Sequence, residues 1–202
     1  GIGGDVMKSI LASLRTAAFL TLVMTVLLGV VYPLATMGVV QALFHHKANG
    51  SLVMRGGKVV GSALLGQEFT SPKYFWSRLS ATTPPYNASA SGASNLSAAN
   101  PQLLKAANQR MALLQKADPQ NRMRVPVELL TASGSGLDPH ISLVAAEYQA
   151  PRVARARGMK EDTVRALIGD YTEVAGFGLL GQPYVNVLRL NLALDDLAKE
   201  KR

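Results

Sequence analysis

The segment over residues 127–142 is the part of the chain that most resembles a catalytic centre. It reads VELLTASGSGLDPHIS and places Ser133, Ser135, Asp138 and His140 close together. A Ser-His-Asp hydrolase needs a nucleophile, a base and an orienting acid that meet in space. His140 is the only histidine outside an adjacent pair far upstream, so any such triad must use it. One interpretation is therefore a hydrolase that uses His140 with Ser133 or Ser135 and Asp138.

The sequence around these residues favours a structural turn over a catalytic site. The nucleophile elbow of α/β-hydrolases reads G-x-S-x-G, whereas residues 132–136 read Ala-Ser-Gly-Ser-Gly. Asp138 precedes a proline at an apparent helix start, where an aspartate accepts backbone N–H bonds. We therefore predict a capped turn here and no catalytic residue.

Cofactor and metal motifs give no stronger signal. The P-loop spacing G-x-x-x-x-G-K-[ST] is absent, and the glycines at 134 and 136 offer only a weak anion site. The chain has no cysteine, and its two adjacent histidines do not have the H-E-x-x-H spacing of a zinc site. We expect no metal and no directly bound cofactor.

A long uncharged segment near the front predicts a membrane anchor. Residues 16–44 contain no charged side chain, and a helix of about 20 residues already spans the hydrocarbon core. A cleaved signal peptide, the alternative, has an apolar region of only ~7–15 residues and a small-x-small cleavage site. We therefore predict one transmembrane helix over 16–44 after a short segment over 7–15. Residues 1–6 precede a Met-Lys pair that looks like a natural start, and we expect them to be an expression remnant.

Four residues of this helix are candidates for packing against a partner helix. Pro33 removes one backbone donor and should kink the helix, which a spanning helix tolerates when neighbours satisfy the freed carbonyl. Gly29, Ala35 and Gly38 are small enough to let another helix approach closely.

The net charge of +8 excludes little by itself. The basic residues are scattered, aromatic residues make up 6% of the chain, and no nucleic-acid motif is present, so nucleic acid is not an expected partner. Basic residues flank the apolar segment about equally, so the positive-inside rule leaves the orientation open.

The remainder of the chain carries alternating strand and helix signals. Residues 51–66 predict a hairpin around a Gly-Gly turn, and residues 73–78 a short aromatic strand. Residues 80–99 are rich in Ser, Ala, Asn, Pro and Gly and predict a long polar loop. Residues 100–119 predict a helix that begins after Asn100 and a proline.

The second half predicts further short elements. Residues 125–133 indicate a strand or extended approach, and helix starts are expected at Asp138-Pro139 and at residues 149–151. Residues 160–171 predict a helix, and the alternation over residues 184–191 predicts a strand before a terminal helix. The predicted fold is one N-terminal transmembrane helix followed by an α+β (mixed α/β) extracytoplasmic domain over residues 45–202.

Seven segments, in order, resemble one family. The chain is similar to the C subunit of Kdp-type potassium-transporting ATPases in ANGSL (48–52), GSALLGQEF (61–69), YFWSRLSAT (74–82), PYNASASGASNL (85–96), VPVELLTASGSGLDPHIS (125–142), APRVARARG (150–158) and GQPYVNVLRLNLALD (181–195). Each segment alone is weakly specific, but seven in order are specific. The family often has Ser-Gly-Gly-Ser where this chain has Ser-Gly-Ala-Ser at 91–94.

The resemblance implies a non-catalytic accessory subunit of a high-affinity, ATP-driven potassium uptake complex in a bacterial inner membrane. The implied partners are a potassium-binding channel-like subunit, a P-type ATPase subunit, a small single-helix subunit and the lipid bilayer. The N-terminus would be cytoplasmic and the domain periplasmic. The family is described as a catalytic chaperone that raises the ATP affinity of the ATPase subunit, so ATP binding belongs to the complex.

Within this resemblance, the polar loop is a candidate contact for partners. The residues concerned are Tyr86, Asn87, Ser91, Gly92, Ser94 and Asn95. The alternative from another class remains a membrane-anchored extracytoplasmic hydrolase that uses His140.

Overall fold

The structure is a computed structural model that describes residues 2–175 and 181–200. It divides into two compact units, one up to Gly50 and the other from Ser51 onwards. Parts of the predicted remnant and of the predicted domain, namely residues 1, 176–180, 201 and 202, lie outside the described residues.

The first unit is a long apolar helix. It comprises α1 (Ile2–Val26), a π-helical turn (Leu27–Val31) and α2 (Tyr32–Leu43), and the short helix α3 (His45–Ala48) follows. Gly3–Leu43 spans 41 residues and contains an 18-residue window with a mean hydropathy of 2.2, so it is long and apolar enough to cross a membrane. We call Gly3–Leu43 the anchor helix.

The π turn lies directly before Pro33. Proline lacks an N–H and its ring crowds the carbonyl four residues earlier, and the Tyr32 N–H instead donates to the Leu27 carbonyl. The Thr36 hydroxyl lies 3.0 Å from the carbonyls of both Tyr32 and Pro33. The helix thus passes the proline by widening one turn and adding a side-chain hydrogen bond.

The second unit begins with the predicted hairpin, which is confirmed. Strands β1 (Leu52–Arg55) and β2 (Lys58–Ser62) pair antiparallel. Gly56 and Gly57 both have positive φ, +57° and +76°, as the favoured two-residue hairpin turn requires.

After the hairpin, the described residues of this unit form four α-helices and a small sheet. The helices are α4 (Pro101–Ala117), α5 (Leu143–Arg157), α6 (Glu161–Asp170) and α7 (Val187–Glu200). The antiparallel sheet has the order β3-β5-β4, formed by β3 (His140–Ser142), β4 (Thr172–Glu173) and β5 (Tyr184–Asn186). One long apolar helix followed by a mixed helix and sheet unit confirms the predicted fold class.

The hydrophobic core lies where α5, α6 and α7 meet the sheet. Its fully buried side chains include Phe75, Leu114, Leu129, Ile141, Val153, Ile168, Val185, Leu190 and Leu194. Helix α4 begins as predicted, because the Asn100 side chain accepts the Gln102 N–H and a proline occupies the first turn.

Three predicted boundaries are wrong. Asp138 does not cap a helix; it accepts the N–H of His140, the first residue of β3, at 3.0 Å. The helix begins later, capped by Ser142, and Pro151 lies inside it instead of starting a new one. The strand predicted over 184–191 ends at Asn186, whose side chain accepts the Arg189 N–H and so caps α7.

Two further strand predictions are also wrong. Residues 127–129 form a single 3₁₀ turn and not a strand. Residues 73–78 pair with no strand, because two buried side-chain amides take the place of a neighbouring strand. Asn191 bonds both the N–H and the carbonyl of Phe75, at 2.8 and 3.0 Å. Gln149 does the same for Trp76, at 2.8 and 3.1 Å.

Candidate functional site

The structure does not assemble the serine, aspartate and histidine into a triad. The Asp138 carboxylate lies 3.8 Å from His140 Nδ1, but its other oxygen pairs with Arg78 at 3.2 Å. Ser135 Oγ accepts the Leu137 N–H, and Ser133 is buried. Within the described residues neither serine hydrogen bonds to His140, so the imidazole has no nucleophile to activate.

His140 instead lies on the edge strand β3, where its ring packs against β5. Its ring contacts Tyr184 edge-on with centroids 4.6 Å apart, and Nε2 lies 3.5 Å from the Asn186 amide nitrogen. Burial lowers the pKa of His140 below 6.5, against the opposing attraction of Asp138 and Glu173. The neutral imidazole is therefore the form that the fold prefers.

This environment predicts a pH dependence of stability. Because the folded pKa of His140 lies below 6.5, the unfolded chain binds more protons in the window below that value. Acidification from about pH 7 to about pH 5 therefore lowers the free energy of unfolding. We expect this loss to be smaller in His140→Gln than in the wild type, measured by urea unfolding followed by Trp76 fluorescence. Equal losses in both proteins would contradict the assignment.

The loop over residues 80–99 is held by its own side chains. Ser80 Oγ donates to the Gly136 carbonyl and accepts the Tyr86 N–H, at 2.7 and 2.9 Å. Thr82 Oγ1 donates to the Pro84 carbonyl and accepts the Asn87 N–H, at 2.9 and 3.0 Å. A loop without regular secondary structure thus has a defined conformation.

The six candidate contact residues of this loop occupy three environments. Tyr86 is half-buried, and its hydroxyl donates to the Arg78 carbonyl. The Asn87 side chain accepts the Ser89 N–H and so forms a local turn. The Gly92 N–H and the Ser91 hydroxyl both donate to the Ser135 carbonyl, at 2.9 and 3.0 Å. Ser94 and Asn95 are exposed, and Ser94 faces the hollow described next.

Two adjoining hollows run along α4. The first, of about 240 Å³, is lined by aromatic rings and by Arg78 and Arg110. The second, of about 320 Å³, is lined mainly by apolar side chains of α4 and of the segment around Leu130. They share four residues, Leu79, Ser80, Arg110 and Leu113. We call the two together the Arg110 groove.

Arg110 is held firmly at the middle of this groove. Its Nε and Nη2 donate to the carbonyls of Leu129 and Ser77, at 3.3 and 3.0 Å. Its guanidinium lies 5.1 Å from the centre of the Trp76 ring, a cation–π distance. Burial lowers its pKa. Sequence reasoning missed Arg110, because nothing in the local letters indicates that α4 packs beside Trp76.

The small residues of the anchor helix do not share one face. Gly29 lies inside the π turn, about one turn before Pro33, whereas Gly38 follows nine residues after Gly29 and does not return to the same face. Ala35 and Gly38 both lie in α2 and are about 60° apart at 3.6 residues per turn. All four are exposed in this unit, and an added Cβ at Gly29 or Gly38 would have nothing within 4 Å.

Within residues 2–175 and 181–200, no cluster of three or more His, Asp or Glu side chains could hold a metal ion. His45 lies beside Asn49, whose amide also contacts Gln41 at the end of the anchor helix.

Comparison with known proteins identifies the family. The family model described as K⁺-transporting ATPase, c chain (KdpC), matches residues 14–196. The chain belongs to the KdpC family.

Individual KdpC relatives match over nearly the whole chain. The potassium-transporting ATPase KdpC subunit of Polaromonas naphthalenivorans is 57% identical over 192 residues, 95% of this chain and 96% of the relative. Those of Sorangium cellulosum and Variovorax paradoxus are 56% and 55% identical, over 92% and 90% of this chain and 98% and 95% of theirs. The family assignment predicted from seven short segments is confirmed.

Proposed function

We propose that this chain is the accessory subunit of a bacterial ATP-driven potassium uptake complex. The single observation that carries the proposal is the KdpC family match over residues 14–196. The anchor helix would fix the subunit in the inner membrane, with the N-terminus cytoplasmic and the domain periplasmic. The channel-like potassium-binding subunit, the P-type ATPase subunit and the small single-helix subunit would be its partners.

The chemistry of ATP hydrolysis belongs to another subunit in this proposal. Ser133, Ser135, Asp138 and His140 form no triad, which supports a non-catalytic role. An effect on the ATP affinity of the complex would then be indirect and would follow from assembly. In this proposal ATP is a ligand at the level of the complex.

The anchor helix offers two packing faces. One carries Gly29 and Pro33 and the other carries Ala35 and Gly38, so two different neighbours could approach closely. The loop around Tyr86, Asn87, Ser91, Gly92, Ser94 and Asn95 is held in one conformation and so presents a preformed surface for a partner. Preformed surfaces lose less conformational entropy on binding.

Co-purification with the other subunits tests the proposal. We expect a tagged copy of the chain, extracted in a gentle detergent from cells that make the whole complex, to bring the large membrane subunits in fixed proportion. Gly29→Leu and Gly38→Leu should each reduce this yield without changing the fold of the chain, since an added Cβ at either glycine would meet no described residue within 4 Å outside its own helix backbone. Val39→Leu, which alters an exposed residue that is already large, is the matched control. Recovery of the wild-type chain alone would contradict the proposal.

A further inference from the structure

The Arg110 groove is open and apolar on both sides of the arginine. Leu113, which both hollows share, keeps 54% of its surface exposed. The first hollow is walled by Phe69, Trp76 and Tyr86, and the second by Leu96, Leu103 and Leu130. Concave apolar surface with a few fixed polar groups is typical of binding sites.

The cation at its centre is held by neutral groups. Arg110 forms no salt bridge with any described residue. Two of its nitrogens bond backbone carbonyls, and Nη1 has no acceptor within the described part of the chain. Arg78 also lines the groove, but Asp138 already pairs with it. Among the described residues, Glu68 is the only carboxylate that lines either hollow. It is exposed to water, and its charge only partly offsets the lowering of the Arg110 pKa by burial.

We propose that the Arg110 groove binds an extended segment of a protein partner in which apolar side chains flank a carboxylate. The carboxylate would pair with Arg110, and the apolar side chains would fill the two hollows. In an extended chain, alternate residues point to the same side, so an apolar-x-acidic-x-apolar pattern matches the groove. The inference rests on the proposed function, since it names the chemistry by which the domain contacts a subunit of the complex.

A pair of peptides tests this chemistry directly. The probes are acetyl-Leu-Ser-Glu-Ser-Leu-amide and its glutamine counterpart, titrated against the full chain in lipid nanodiscs. Trp76 is the only tryptophan of the chain and lines the first hollow, so its fluorescence reports occupancy. We expect the glutamate peptide to bind roughly tenfold more tightly, because charge-assisted hydrogen bonds are the stronger ones. Equal affinities would overturn the proposal, and so would equally tight binding of 4-methylpentanoate, a small acid with one apolar group.

Variants on one helix separate the groove from the rest of the surface. Leu113→Glu places a like charge in the groove and should weaken binding of the glutamate peptide roughly tenfold. Leu104→Glu is the matched control, since Leu104 lies on the same helix, is 63% exposed and lines neither hollow. Glu68→Gln removes the groove's own carboxylate and should tighten binding. Arg110→Gln should abolish the preference for the glutamate peptide. If the Arg110→Gln protein misfolds, Leu113→Glu and Leu104→Glu, which alter exposed residues, still test the proposal. Equal effects of Leu113→Glu and Leu104→Glu would overturn the proposal.

The same two leucine variants, examined in the assembled complex, distinguish this inference from the proposed function. If the wild-type chain and Leu104→Glu bring down the large subunits and Leu113→Glu does so less, both stand. If the wild type, Leu104→Glu and Leu113→Glu bring down the large subunits equally, the groove does not contact them, although the proposed function holds. If the wild type brings down none, the proposed function itself fails.

Discussion

Gln149→Leu and Asn191→Leu are each expected to lower the free energy of unfolding of the domain by about 3 kcal/mol. Each amide is 1% exposed and satisfies both the N–H and the carbonyl of one buried backbone residue. Leucine has a similar volume but no polar atom, so two backbone groups would lose their partners without gaining water. An unsatisfied buried polar group costs roughly 1–3 kcal/mol.

Urea unfolding followed by Trp76 fluorescence measures this loss. Gln115→Leu and Asn108→Leu are the matched controls, since both residues are exposed on α4. These should change stability by no more than about 0.5 kcal/mol. If the buried variants were as stable as the controls, the amides would not be holding the Phe75-Trp76 backbone.

Arg152→Met is expected to be at least as damaging, with a loss of about 3 kcal/mol or more in the free energy of unfolding. Arg152 is 3% exposed and forms no salt bridge with a described residue. Its nitrogens donate to the carbonyls of Pro72 and Tyr74 and to the Gln149 side chain, and its guanidinium lies 4.5 Å from the centre of the Trp76 ring. Burial lowers the pKa of Arg152 to about 10, which leaves it charged at neutral pH.

The loss follows from the acceptors that Arg152 satisfies. Methionine fills much of the same volume, but it leaves two backbone carbonyls without their donor and removes one of the two donors to the Gln149 side-chain oxygen. Arg124→Met, which removes an exposed arginine, is the control and should be nearly neutral. The emission spectrum of Trp76 should also shift in Arg152→Met and not in the control. A fully stable Arg152→Met protein with an unchanged spectrum would show that the buried charge has no structural role.

Structural features that depend on the local sequence could be predicted. The apolar segment predicted the anchor helix, and Gly56 and Gly57 predicted the hairpin turn. Asn100 and the proline after it predicted the start of α4. Each of these depends on neighbours within a few residues, so a single segment contains the whole signal.

Features set by distant partners could not be predicted. The segment around Phe75 is rich in residues that favour strands, but its backbone pairs with side chains and not with a strand. These side chains, Gln149 and Asn191, lie 73 and 116 residues further along the chain. The Asp138 turn was expected to open a helix, and only the pairing of β3 with β5 shows that a strand follows. The Arg110 groove depends on α4 lying beside Trp76, which no local pattern reveals.

The two buried amides, Gln149 and Asn191, also constrain the order of folding. Asn191 lies in α7, yet it holds the backbone near the start of the domain. Contacts of such long sequence separation slow folding, because the loop between the partners must close first. The domain therefore completes its core only after α7 has been synthesised, and a chain that stops before α7 would leave Phe75 without either backbone partner. Truncation before Val187 would thus abolish the native state of the entire domain, far from the site of the cut.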